Sequence, residues 1–186
     1  MTNSNLTSLA NKPGGDLDID ESLLIQGCIH GVDQSNQLLK AVSLDDYTYV
    51  SQGNSSIGTH TRHILDRFHC FFAGLQGGCI DYDDRQRDKS IENSLQAATF
   101  ALASVSRQIE KLDLAEFTGK IITVRESVYH QGSSIEIPST VNRELMGLIT
   151  HSIHHLAIIA IIAKSFGYPM DNDFGKAAST IVYERR

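Results

Sequence analysis

The residues of this chain best suited to chemistry are two histidines spaced four positions apart, His151 and His155. They lie in a strongly apolar segment, 145–163, whose periodicity predicts a helix. Residues i and i+4 of an α-helix point the same way about one turn apart, so both imidazoles can bind one metal ion. An imidazole on an apolar face is also costly unless a partner satisfies it. The spacing therefore indicates a metal site, without the glutamate of the HExxH motif.

A third ligand is expected from a second pair of histidines, His60 and His63, on an earlier predicted helix. A helical wheel places His60 on the flank of the apolar face and His63 beyond its edge, and from the residues alone either can complete the site. Three imidazoles leave open positions on zinc, nickel or iron(II), as in catalytic sites. The competing interpretation is that these are core histidines hydrogen-bonded to their neighbours.

Other polar residues are candidates for catalysis or substrate binding. The catalytic candidates are Glu144, as a general base, and His60. The charged stretch 81–88 follows the second predicted helix, and its Tyr82, Arg85 or Arg87 could bind an anionic substrate over the mouth of the site. A solvated charged loop explains the same stretch. A nucleophilic cysteine is not expected, because no base partner for the cysteines is evident.

Four amphipathic helices are predicted to position these residues. They run from about 18 to 42, from Ser55 or Ser56 to about 75, from about 91 to 112, and from an N-cap at Ser139 to about Phe166. Residues 43–54 and 79–90 are predicted as loops. Residues 120–126 and 134–137 predict a small β-hairpin closed by Pro138. The predicted fold class is all-α: a four-helix bundle with a hairpin between its third and fourth helices.

Composition narrows the class of protein. The 186 residues, 41% of them hydrophobic, fit one globular domain at 18–186 after a polar arm at 1–17. A net charge of −6 without a basic cluster argues against nucleic acid. No signal peptide opens the chain, and the longest apolar run, 156–163, is too short to cross a bilayer. Three cysteines without a zinc or redox spacing suit a reducing cytoplasm, so we expect a cytoplasmic protein without a membrane partner.

Two segments resemble the DinB/YfiT-like superfamily of metal-binding four-helix bundles. Segment 56–66 opens with Ser56, Ile57 and Gly58 and then carries His60 and His63; segment 150–155 carries the later histidine pair. The resemblance spans roughly 18–166. It implies that His63, His151 and His155 are the metal ligands, with His60 as the alternative third ligand, and that the metal is divalent, zinc or nickel. The family often has an Arg-Gly-Gln run after the last ligand; this chain has Leu-Ala-Ile at 156–158, so that arginine contact is missing.

The resemblance implies a metal-dependent enzyme, with thiol transfer or hydrolysis of a small substrate as its reaction. Some members of the superfamily transfer low-molecular-weight thiols such as bacillithiol or mycothiol. The alternative is a non-catalytic metal-binding or stress-related helical bundle that acts as an interaction module. A homodimer is compatible with both hypotheses.

Overall fold

The computed structural model describes residues 21–50 and 55–186. Most of these residues are helical. The helices are α1 (Glu21–Ala41), α2 (Leu44–Thr48), α3 (Ile57–Leu75), α4 (Lys89–Asn93), α5 (Leu95–Glu110), α6 (Val141–Ser165) and α7 (Ala178–Glu184), and a 3₁₀ turn covers Leu114–Phe117. The strands are β1 (Cys79–Asp81), β2 (Ile122–Glu126) and β3 (Ile135–Ser139). The predicted arm at 1–17 and the start of the first predicted helix lie outside the described residues.

Four of the described helices are 16 to 25 residues long, and they pack around a common core. Helix α1 contacts α5 and α6, and α3 contacts the same two helices. Each long helix contributes buried apolar residues to this core, among them Phe68 and Phe71 of α3 and Leu145 and Leu156 of α6. The helix of the predicted bundle that starts at Ser56 is thus α3, and the histidine-rich one is α6.

The small sheet is larger than the predicted hairpin. The two predicted strands do pair antiparallel as β2 and β3, but β1 adds a third strand, parallel to β2, with Ile80 opposite Val124. The stretch 79–90 is therefore not wholly a loop, since a three-residue strand lies within it. Pro138 does not close the hairpin but lies inside β3, opposite Thr123. Among the described residues β3 is an edge strand, where a missing N–H is tolerated.

Helix boundaries differ from the predictions at three polar residues. Ser94 divides the third predicted helix into α4 and α5, because its backbone is extended while its side chain accepts a hydrogen bond from the N–H of Ala97. The N-cap of α6 is Thr140, whose hydroxyl accepts from Arg143 N–H, and not Ser139. Within the predicted loop at 43–54, Ser43 caps α2, which is held in place by the buried ring of Tyr47.

Helix α6 is apolar enough, by length and composition alone, to cross a membrane. Its most apolar 18-residue window has a mean hydropathy of 1.8. Counting only unbroken apolar residues misses this property, because Thr150, Ser152 and the histidines interrupt the run. The helix instead packs against α1 and α3, as the core helix of a helical domain does. The absence of a membrane partner stays a prediction.

The C-terminal tail packs back onto α1 and α6. Gly175 has a φ of +69°, and a Cβ atom there would lie 2.6 Å from the backbone N of Ala157. Its N–H donates to Gln34 Oε1 over 2.9 Å. A side chain at residue 175 is therefore excluded by both the backbone conformation and the contact with α6.

Candidate metal centre

The start of α3 is fixed by the residues that precede its histidines. Ser56 caps the helix by accepting a hydrogen bond from Thr59 N–H at 3.0 Å. A Cβ atom on Gly58 would lie 2.3 Å from the carbonyl oxygen of Glu92 and 2.9 Å from Tyr47 Cε1. The glycine thus lets α3 lie directly against α2 and α4. This packing sets the rotation of α3 and so the direction in which His60 and His63 point.

The structure brings three histidines from two helices together. His63 of α3 and His151 and His155 of α6 each offer a ring nitrogen, and these atoms lie within 4.8 Å of one another. The ring centroids are 4.9 Å apart for His63 and His151 and 4.6 Å apart for each of the other two pairs. We call these three residues the histidine triad. Nitrogens bound to one tetrahedral zinc ion lie roughly 3.4 Å apart, given Zn–N bonds of 2.0–2.1 Å. Small side-chain rotations would bring the three ring nitrogens to this spacing.

Two observations show that the triad suits a divalent metal ion. His151 Nε2 is buried and has no hydrogen-bond partner among the described residues, a costly state that a metal ion would relieve. The imidazoles are also held neutral, as metal ligation requires. Burial, followed by the charge of Arg67, lowers the pKa of His151 to about 4. Burial, followed by the neighbouring His151, lowers the pKa of His155 to about 3.

His63 belongs to the triad, and His60 does not. His60 Nδ1 instead lies 3.0 Å from His155 Nδ1, so the two rings share a hydrogen bond whose direction depends on their tautomers. Burial lowers the pKa of His60, and His154 adds to the effect. His60 is therefore placed to orient the ring of His155 while the other nitrogen of that ring stays available. From the residues alone either histidine could complete the site; in the structure it is His63 that lies with His151 and His155.

Glu144 and Tyr82 are hydrogen-bonded to each other, away from the triad. The Tyr82 hydroxyl donates to Glu144 Oε2 at 2.9 Å, and the Ser139 hydroxyl donates to Glu144 Oε1 at 2.6 Å. Tyr82 is only 2% exposed, so it is a core residue and does not reach over the mouth of the site as predicted. Glu144 lies two helical turns before His151, about 10 Å along the axis. Neither residue is brought to the triad.

The arginines near the triad have different surroundings. Arg67 forms an ion pair with Glu126, and its guanidinium lies 3.6 Å from the centre of the Tyr82 ring. Arg87 is exposed, has a φ of +51°, and contributes its backbone N–H to Asp66. Arg85 is half-buried and acts electrostatically on both His63 and His151. Of the predicted substrate contacts, only Arg85 is placed beside the triad.

A buried group of charges supports the helix that carries His63. Asp66, 1% exposed, forms an ion pair with Arg62, which also pairs with Glu92 of α4. The side chain of Asp66 accepts the backbone N–H of Arg87 as well. Arg62 thus ties α3 to α4, and Asp66 ties α3 to the loop after β1.

Sequence reasoning missed an apolar cleft beside the triad. The cleft has a volume of about 300 Å³ and lies between the start of α3 and the C-terminal half of α6. Its lining residues are Tyr49, Ser55, His60, Ile158, Ile161, Ile162, Ser165 and Phe166. The only sequence signal was the apolar stripe that continues from His155 to Ile158 and Ile162. Tyr49, whose ring meets that of Phe166 edge-on, comes from a stretch predicted as a loop.

The remaining histidines and the buried cysteines do not extend the site. His154 is exposed beside His155, and His30 contacts Gln34. Burial raises the pKa of Cys28 to about 12 and that of Cys70 to about 11, so neither is poised as a thiolate nucleophile.

Comparison with known proteins supports the family suggested by the two histidine segments. The model of the DinB family matches residues 26–178. Neither the curated proteins nor the solved structures gave a match. The family match includes all three histidines of the triad and covers well over half of the sequence, and the chain therefore belongs to the DinB family.

Proposed function

We propose that this protein is a metal-dependent enzyme built on a four-helix bundle, which transfers a thiol to, or hydrolyses, a small substrate at the histidine triad. The observation that carries the proposal is the convergence of three neutral imidazoles from α3 and α6 with the unpartnered His151 Nε2 among them. Three protein ligands, rather than four, are typical of catalytic metal sites.

The triad would hold the metal through His63, His151 and His155. When bound, a divalent ion supplies Lewis acidity, which lowers the pKa of a thiol or of water. The chain's own residues do the rest. His60 orients His155 through their shared hydrogen bond, and the apolar cleft beside His60 excludes water from the part of a substrate that enters it. Zinc and nickel both suit an imidazole site.

Metal content tests the site. We expect the protein purified without a histidine tag to carry about one equivalent of metal by plasma mass spectrometry, as a three-imidazole site should. His63→Ala and the double variant His151→Ala/His155→Ala should lose it. His60→Ala should keep most of it, and His130→Ala, at an exposed position, should keep all of it. A wild-type protein that carries no metal and takes up no added zinc, nickel or manganese would refute the proposal.

Activity is then tested with the metal-loaded protein. The substrates are a panel of low-molecular-weight thiols with an electrophilic acceptor, and a panel of small esters and amides. Turnover that depends on the metal and disappears in His63→Ala supports an enzyme. Stoichiometric metal without turnover on any substrate would favour a non-catalytic metal-binding protein instead.

A further inference from the structure

One cation near the triad forms no ion pair within the described part of the chain. Arg85 Nε is buried and has no hydrogen-bond partner there, and no described carboxylate forms an ion pair with its guanidinium. A buried N–H without an acceptor is costly, because it has lost water without gaining a protein partner. Arg67 Nε is likewise buried without a partner, but its guanidinium also pairs with Glu126 and lies over the face of Tyr82.

The loop on both sides of Arg85 is held in place by hydrogen bonds. The Asp83 carboxylate accepts the hydroxyls of Ser127 and Ser134 at 2.8 Å and 2.7 Å. The Asp84 carbonyl accepts the Cys70 thiol, and the Arg87 N–H donates to Asp66. The loop is thus held to the connection between β2 and β3 and to α3. A guanidinium on such a loop is preorganised for a ligand.

The position of Arg85 relates it to the reaction centre. Along α3, His63 lies between His60, where the apolar cleft begins, and the residues Asp66 and Cys70, to which the loop that carries Arg85 is hydrogen-bonded. A small molecule bound at the triad therefore has a cation on one side and an apolar cleft on the other. The ligand group that best matches a single guanidinium is a carboxylate, which accepts two parallel N–H···O hydrogen bonds from it. The neighbouring Asp81, Asp83 and Asp84 disfavour a more highly charged phosphate.

We propose that Arg85 is a specificity-determining residue that binds the carboxylate of the substrate, so that the site selects carboxylate-bearing small molecules. The proposal rests on the proposed function only in taking the triad as the reaction centre. Binding of the carboxylate itself does not require the metal.

The first experiment therefore uses metal-free, ¹⁵N-labelled protein titrated with succinate and followed by NMR. We expect saturable binding, with shifts that include the Arg85 Nε–H signal, assigned by its loss in Arg85→Gln. Because a hydrogen-bonded charge pair is lost, Arg85→Gln should weaken succinate binding about tenfold or more. Arg85→Lys should retain part of it. Arg107→Gln, which removes an exposed arginine of α5, should bind like the wild type. Succinamide and inorganic phosphate should bind more weakly than succinate.

Equal succinate affinity in the wild type and Arg85→Gln, with folding verified by circular dichroism, overturns the proposal. Stronger binding of phosphate than of succinate overturns the choice of carboxylate. A second titration, with zinc-loaded protein, compares mercaptosuccinate with thioglycerol. We expect the Arg85→Gln change to affect only mercaptosuccinate. If neither thiol gains affinity from zinc, thiol transfer fails as the proposed reaction, while the succinate result still decides the role of Arg85.

Discussion

The imidazoles of the triad share one physical environment, and it explains their protonation state. Each is partly buried, and each faces other imidazoles or arginines, so a proton on any of them would be both desolvated and repelled. Arg67 and Arg85 contribute to this for His151. The arrangement keeps lone pairs free at neutral pH. A neutral cluster of this kind suits metal binding better than it suits an acid–base pair.

The lowered pKa of His155 makes the metal-free protein sensitive to acid. An unfolded histidine takes up a proton below about pH 6.5, whereas folded His155 resists protonation down to about pH 3. The unfolded state therefore binds more protons than the folded state between these pH values. As the pH is lowered, this residue reduces the free energy of unfolding by at most about 1.4 kcal/mol per pH unit. Urea unfolding in EDTA between pH 7 and 4.5 should show a shallower slope for His155→Gln than for the wild type. His130→Gln is the control, and identical slopes for all three proteins would contradict the neutral state of His155.

At the scale of elements, the rotation of α3 determines which histidine enters the triad. The cap at Ser56 and the close approach of Gly58 to Glu92 and Tyr47 fix where this helix starts and how it lies on α2 and α4. The ion pairs of Arg62 with Asp66 and Glu92 reinforce the same contact. The serine and glycine that precede the histidines thus have a packing role beside a site that neither residue touches.

Gly58→Ala should separate α3 from α4. Its Cβ would overlap the backbone oxygen of Glu92, which cannot rotate away, so we expect a loss of about 1–3 kcal/mol in the free energy of unfolding. Gly147→Ala is the matched control, since its Cβ meets only Arg143 Nη1 at 3.7 Å, and it should gain up to about 1 kcal/mol from helix propensity. Urea denaturation measures both. A Gly58→Ala protein as stable as the wild type would show that α3 and α4 are not held by this contact.

At the scale of the whole molecule, sequence patterns predicted the features that depend on residues close together in the chain. Short segments of the sequence predicted three such features: the i,i+4 pair His151 and His155, the start of α3 at about Ser56, and the end of α6 before Gly167. The pairing of β1 with β2 joins residues more than 40 positions apart, and the burial of Tyr82 depends on Arg67 and Glu144. Such contacts leave no periodic signal. The choice between His63 and His60 required the family resemblance for the same reason.

The triad joins α3 to α6, so a bound metal ion should stabilise the whole fold. A ligand that binds only the folded state stabilises it by about 4 kcal/mol at 1,000 times its dissociation constant. We expect thermal melting of the untagged protein to shift upward with added zinc and to return with EDTA. His63→Ala leaves a two-histidine site within α6 alone, which no longer links two helices, so its shift should be much smaller. The exposed His130→Ala variant should keep the full shift. If His63→Ala and the wild type gain equally from zinc, the metal does not bridge α3 and α6, and the histidine triad is not its site.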